Sequence, residues 1–222
     1  VVRFATYCQI MCYTIFKKRG CTWMKSEHYT QAERELLMQK VQMQMSQKRF
    51  EHVLGVEKTA VALAEKYGAS PVKASIAALT HDYAKERSDE EFQLVIRRDG
   101  FDLDLLNWNN AIWHGLVGAD FVQRELEIDD EEILQAIRLH TTGAAKMSLL
   151  DKIIYVADYI EPGRTFPGVV EAREIAMIDL DAAVAYETKH TLLHLIETEA
   201  VIYPKTIETY NFWVAKYRRE LP

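Results

Sequence analysis

Apolar residues recur at helical spacing from Thr30 to the C-terminus, and strand-like alternation persists nowhere. Thr30 and Glu33 form a T-x-x-E capping box that opens a polar helix rich in Gln and Met. Over 48–67, His52, Val56, Ala60 and Leu63 share one face, and Gly68 supplies the stop. Ser70 and Pro71 offer a cap and a first-turn proline to the next helix, in which Ala74, Ala77, Ala78 and His81 form a stripe of small residues and an imidazole. Small side chains there let a neighbouring helix approach closely. Ser88 and Glu91 make another capping box before a short helix near 89–98. The stretch 101–113 is irregular and predicts a loop, followed by a helix from near His114 to about Glu125. Asp129 and Glu132 cap a helix that brings Ile133, Ala136, Ile137 and His140 together, ending at Thr141, Thr142 and Gly143. Ser148 starts a strongly apolar helix with Leu150, Ile154 and Asp158 four apart, stopped by Pro162 and Gly163. Helices over 168–177 and 180–200 follow, the second capped by Asp179, and Pro204 opens a last amphipathic helix carrying Ile207, Tyr210, Phe212 and Trp213. The predicted class is all-α, a helical bundle.

Composition supports this and narrows the setting. Only 9 Gly and 5 Pro in 222 residues leave little room for a turn-dense β architecture. The balance of 27 basic and 33 acidic side chains, net −6, argues against a nucleic-acid-binding protein but leaves phosphorylated small molecules open. No apolar run reaches the roughly 20 residues that span a bilayer, so no membrane partner is expected. Cys8, Cys12 and Cys21 all precede Met24, and no disulfide framework holds the rest. The apolar run Tyr7–Phe16 has its positive charge behind it, at Lys17, Lys18 and Arg19, the reverse of a secretory signal. Residues 1–23 therefore read as a non-native or disordered extension, 24–222 as one domain, and the product as cytoplasmic.

The candidate chemistry lies on the inward faces. His52, His81, His114, His140 and Asp158 sit on otherwise apolar or small-residue helical faces or at their ends, and Asp82 follows His81. One such histidine is usually a hydrogen-bonded core residue. Five inward metal-competent groups on five different helices are harder to explain without a common ligand, because buried imidazoles and carboxylates need partners. Mixed nitrogen and oxygen donors fit Fe, Mn, Co or Zn better than Ca or Mg, and six groups exceed the needs of one tetrahedral ion. Lys85, three residues after Asp82, is placed to meet a phosphate. Arg164 and Phe166, in the loop 161–168 stiffened by two prolines, offer a phosphate fork and an aromatic face for a base. His28, His190 and His194 fall outside the pattern.

These residues resemble an HD-domain phosphohydrolase, in the order His52, His81-Asp82, Asp158, with His114 and His140 similar to the extra ligands of the two-metal branch. The strings HDYAK at 81–85, HGLVGA at 114–119, HTTG at 140–143 and ADYIEPGR at 157–164 resemble more narrowly the YqeK-type family, over roughly residues 30–218. That family often has Pro where Leu116 stands, a departure that leaves the ligands untouched. The resemblance implies an HD-domain helical bundle with a dinuclear metal site between helices, and symmetric hydrolysis of diadenosine tetraphosphate to two ADP. It implies that His52, His81, Asp82 and Asp158 hold one ion and that His114 and His140 hold the other, with Asp82 bridging. The expected metal is iron, with manganese or cobalt as substitutes. Two cations sharing a water would acidify it and hold hydroxide against phosphorus, with Asp82 essential, and Lys85 and Arg164 neutralising phosphates. The competing readings are a nucleotidase or phosphodiesterase on another nucleotide, a diiron oxygenase and a non-catalytic nucleotide sensor. A homodimer is left open.

Overall fold

A computed structural model describes residues 29–220, with side chains described to residue 215. The expected extension 1–23, its boundary at Met24 and His28 lie outside the described residues. Among these there are eleven α-helices, one 3-10 turn and no strand. The helices are α1 (Gln31–Gln42), α2 (Gln47–Tyr67), α3 (Pro71–Thr80), α4 (Asp89–Arg98), α5 (Asn110–Leu116), α6 (Gly118–Leu126), α7 (Glu131–Leu139), α8 (Leu149–Ile160), α9 (Val169–Ala176), α10 (Leu180–Glu197) and α11 (Pro204–Glu220). None is long and apolar enough to cross a membrane.

The caps set these boundaries. Thr30, Ser88 and Ser148 each close a capping box, satisfying two orphan backbone groups at the start of α1, α4 and α8. Ser70 caps α3 with Pro71 just inside it, and Gly68 ends α2 at φ 78°, a left-handed conformation that glycine adopts without a Cβ penalty. The α3 face of Ala74, Ala77 and Ala78 is fully buried, and short side chains there allow α2 and α3 to pack closely. Helices α2, α3, α7 and α8 form the central group, α3 and α8 each touching the other three. Val53, Val56, Ile76, Leu79, Ile137, Ile154 and Ala157 fill the space between them.

Four local expectations are corrected. The helix expected from near His114 begins earlier and is broken: Asn109 caps α5 by accepting from Ala111 N–H, and the chain turns at Val117 before α6. Gly115 and Gly118 flank that turn, and their low helix propensity weakens a continuous helix. The 101–113 stretch is only partly irregular, with a 3-10 turn at Leu103–Asn107. The cap of α7 is Asp130, which accepts from Glu132 N–H, while Asp129 instead receives Gln123. On α11 the inward residues are Thr206, Thr209 and Trp213, whereas Ile207 and Phe212 are 43% and 45% exposed. The inward threonine has a purpose. Thr209 Oγ1 donates to the carbonyl of Thr142 at 2.9 Å, behind the turn that follows His140. Gly143, at φ 60°, leaves room for it, since a Cβ there would meet Thr209 Cγ2 at 2.6 Å.

Candidate metal centre

The central helices deliver the inward polar groups to one place. His52 projects from the second turn of α2, His81 and Asp82 end α3, His140 ends α7, His114 lies in the last turn of α5 and Asp158 in the last turn of α8. Ligand atoms of His52, His81 and Asp158 all lie within 4.8 Å of one another, as do those of His81, Asp82 and His140. Asp82 stands between two imidazole pairs. Its Oδ2 is 3.7 Å from His52 Nε2 and 3.5 Å from His81 Nε2; its Oδ1 is 3.5 Å from His114 Nε2 and 3.7 Å from His140 Nε2. Asp158 Oδ1 adds a second carboxylate, 3.0 Å from His52 Nε2.

The hydrogen bonds fix which nitrogen faces inward. His81 Nδ1 lies 2.6 Å from the Ala78 carbonyl, His140 Nδ1 2.7 Å from Ile137 and His114 Nδ1 2.5 Å from Asn110. A carbonyl can only accept, so each Nδ1 carries a proton and each Nε2 is the nitrogen turned towards Asp82. The Nε2 atoms of His81 and His140 are buried without a hydrogen-bond partner among the described residues, and that of His52 meets only the Asp158 carboxylate. Buried nitrogens orphaned together are costly in a purely structural core. The residues fit divalent cations.

Electrostatics agrees. Burial drives the His81 pKa down to about 4, and burial with the Lys85 ammonium holds His114 well below the ordinary imidazole value. Both rings are therefore neutral at pH 7, the form that binds metal. Burial raises the Asp82 carboxyl, but His81, His140 and His114 outweigh it and keep the group ionised. Burial likewise opposes Asp158, where His52, His81 and Arg164 prevail.

The HD domain pattern matches residues 49–163, which contain all six of these residues. The chain belongs to the HD-domain family. It is 47% identical over 182 residues to a protein of Bacillus subtilis (strain 168) named symmetrical bis(5'-nucleosyl)-tetraphosphatase, covering 82% of this chain and 98% of the relative. A protein of the same name from Halalkalibacterium halodurans is 44% identical, covering 78% and 93%. The crystal structure of a predicted HD superfamily hydrolase involved in NAD metabolism, from Clostridium acetobutylicum, superposes with a TM-score of 0.78 at 38% identity, over 82% of this chain and 97% of that one.

Around the HD-domain cluster, some neighbours follow the sequence reading and others were missed. Lys85 Nζ lies 3.2 Å from both ring nitrogens of His114, on the inner side rather than in solvent, and burial lowers its pKa. Arg164 does not stand free as a fork: it binds Asp158 Oδ1 at 2.7 Å and the Asp158 carbonyl at 3.1 Å. Phe166 packs on Tyr159 with ring centres 4.7 Å apart, half-buried rather than presented flat to an open space. Arg49 was missed; its guanidinium binds Asp82 Oδ2 at 2.8 Å. Its place, three residues before His52 on one helix face, is the signal that could have found it. Arg173 was missed too, and it donates to the carbonyls of Ile160, Glu161 and Arg164 at 2.8 Å each, pinning the loop after Asp158. A cleft of about 600 Å³ opens beside His52, lined by Lys48, Arg49, Arg164, Glu51, Glu86 and Glu161 among others.

On α10, behind Asp158, Glu187 is buried with its Oε2 unpartnered among the described residues. Burial, with the Asp158 charge added, pushes its pKa well above the usual carboxylate value. A raised carboxyl contributes stability fully below its unfolded pKa and loses it as pH climbs through the folded one. Glu187→Gln is therefore expected to match wild type near pH 4 and to melt about 2–4 °C higher at pH 7, for each kcal/mol relieved. Thermal melts at the two pH values check this; equal gains at both would count against it.

Proposed function

We propose that this chain is a metal-dependent hydrolase that cuts dinucleoside tetraphosphates symmetrically into two nucleoside diphosphates. The observation that carries it is the Asp82 carboxylate between two imidazole pairs whose Nε2 atoms face one space, in a chain matching nearly the whole length of two relatives named for this reaction. His52, His81, Asp82 and Asp158 would hold one ion, and His114, His140 and the shared Asp82 the other. Nitrogen-rich donors with two carboxylates suit iron, with manganese or cobalt able to replace it. When bound, such ions supply Lewis acidity at the phosphoryl oxygens and acidify water.

The chain's own residues do the rest. Lys85, beside His114, and Arg49 and Arg164, at the mouth of the cleft, place positive charge where a chain of phosphates must lie. Arg49 pairs with Asp82 and Arg164 with Asp158, so each guanidinium stands next to a would-be metal ligand and can turn towards phosphate where a cation satisfies that carboxylate. Phe166 offers an edge for a base. The reaction consumes one water: its oxygen bonds to one of the two central phosphorus atoms, the bridging oxygen leaves with the other, and two diphosphates result.

Metal-loaded protein incubated with diadenosine tetraphosphate in ¹⁸O-water is expected to give two ADP, with one label per pair. ATP plus AMP would reject the symmetric cut, and faster turnover of mononucleotides or cyclic nucleotides would move the assignment to another nucleotide hydrolase. In the same assay Lys85→Ala is expected to raise KM and lower kcat/KM by about 10- to 100-fold, the loss of one charge-assisted phosphate contact. Unchanged kinetics in that variant would remove Lys85 from the site.

A further inference from the structure

We infer that Glu161 is a positioning residue of the metal centre, its carboxylate fixing the His52 imidazole inside a slot that Gly55 and Gly163 keep open. The inference rests on the metal reading above. His81, His114 and His140 all tether Nδ1 to a carbonyl of their own helix. His52 differs. Its Nδ1 lies 3.2 Å from Glu161 Oε1.

Glu161 is only 4% exposed and directly follows α8. Its Oε2 accepts the Gly163 N–H at 2.5 Å, Arg164 Nε stands 3.8 Å from Oε1, and Arg173 holds its carbonyl. The two glycines point to the same carboxylate. A Cβ at Gly55 would lie 2.5 Å from Glu161 Oε2, and the three nearest atoms there all belong to Glu161. A Cβ at Gly163 would lie 2.9 and 3.0 Å from its two oxygens. Neither glycine has a positive φ, so backbone conformation does not require them. Gly55 sits inside α2, three residues after His52, where glycine is less favourable than alanine by about 0.5–1 kcal/mol. Space for the carboxylate is the remaining physical reason.

A carboxylate on Nδ1 fixes the tautomer, aims Nε2 at the ion and increases its basicity. It also adds negative charge on the His52 side of Asp82 and not on the His114 side. Loss of Glu161 should therefore weaken one ion selectively.

The test is titration of the metal-free full chain with Co²⁺, followed by visible absorption, which reports the coordination of each ion. E161A is expected to weaken one of two Co²⁺ ions by about 10- to 100-fold and leave the other unchanged. E161Q, which keeps an acceptor for Nδ1, should fall between E161A and wild type. Gly55→Ala alone should reproduce the E161A pattern, yet added to E161A it should change nothing, because the carboxylate it displaces is gone. Equal weakening of both ions, unaltered binding in E161A, or a further loss in the double variant would each overturn the inference. Wild type taking up no Co²⁺ would overturn the metal reading along with it; tight uptake by wild type and E161A alike would overturn this inference alone.

Discussion

Asp82→Asn is expected to abolish turnover, lowering kcat by at least about 10³-fold, some 4 kcal/mol of transition-state stabilisation. Asparagine keeps the volume and one carbonyl oxygen but removes the charge that faces four imidazoles and Arg49. If both ions depend on this carboxylate, the variant should also retain fewer than two after dialysis, measured by elemental analysis. A variant still holding two ions, or working within tenfold of wild type, would show that Asp82 does not join the two halves of the site. The apo protein should remain helical by circular dichroism, because the groups around Asp82 rest on separately capped helices.

Returning Mn²⁺ or Co²⁺ to chelated protein is expected to raise the melting temperature sharply. An ion at 1,000 times its Kd adds about 4 kcal/mol, and each kcal/mol is worth about 2–4 °C in a chain of this size. The gain is therefore about 10 °C per site, and magnesium, which prefers oxygen donors, should give much less. The metal-free protein has its own pH signature. His81, with a folded pKa of about 4, and His114, also lowered, bind protons less readily than in the unfolded chain. Stability from such groups is complete above the unfolded value near 6.5 and is lost as pH falls towards 4, on the order of 3 kcal/mol from His81 alone. His52 is shifted upward, burial opposing and the Asp158 hydrogen bond prevailing, so its contribution changes only above 6.5 and does not mask the acid limb. Melting of chelated protein at pH 7, 6, 5 and 4.5 would reveal a flat profile if the rings were not held neutral.

The chain announces its fold through short-range chemistry. The capping boxes at Thr30, Ser88 and Ser148, and the Ser70-Pro71 and Gly68 signals, depend on residues three or four apart, and the structure uses each of them. The break at Val117 was not legible, because an Asn-Asn pair reads as a loop and the Gly115–Gly118 interval looks tolerable inside a helix. The inward threonines of α11 were hidden for a different reason: hydropathy selects Ile207 and Phe212, while the decisive contact is a hydrogen bond to a turn 67 residues away. The same division holds in the site. Histidines on apolar faces are conspicuous in sequence. Glu161 and Arg173 are ordinary charged residues that only packing shows to face inward, and Arg49 is marked in sequence by nothing more than its place three residues before His52.

Three histidines stand at or near helix C-termini: His81 after α3, His140 after α7 and His114 in the last turn of α5. Each helix ends there with carbonyls pointing onward, equivalent to roughly half a negative charge per terminus. The backbone alone thus makes the floor of the site attractive to cations and repellent to phosphate, before any carboxylate is counted. The polyphosphate should consequently gain little from that floor until positive ions cover it, so nucleotide affinity should track metal occupancy rather than simply add to it.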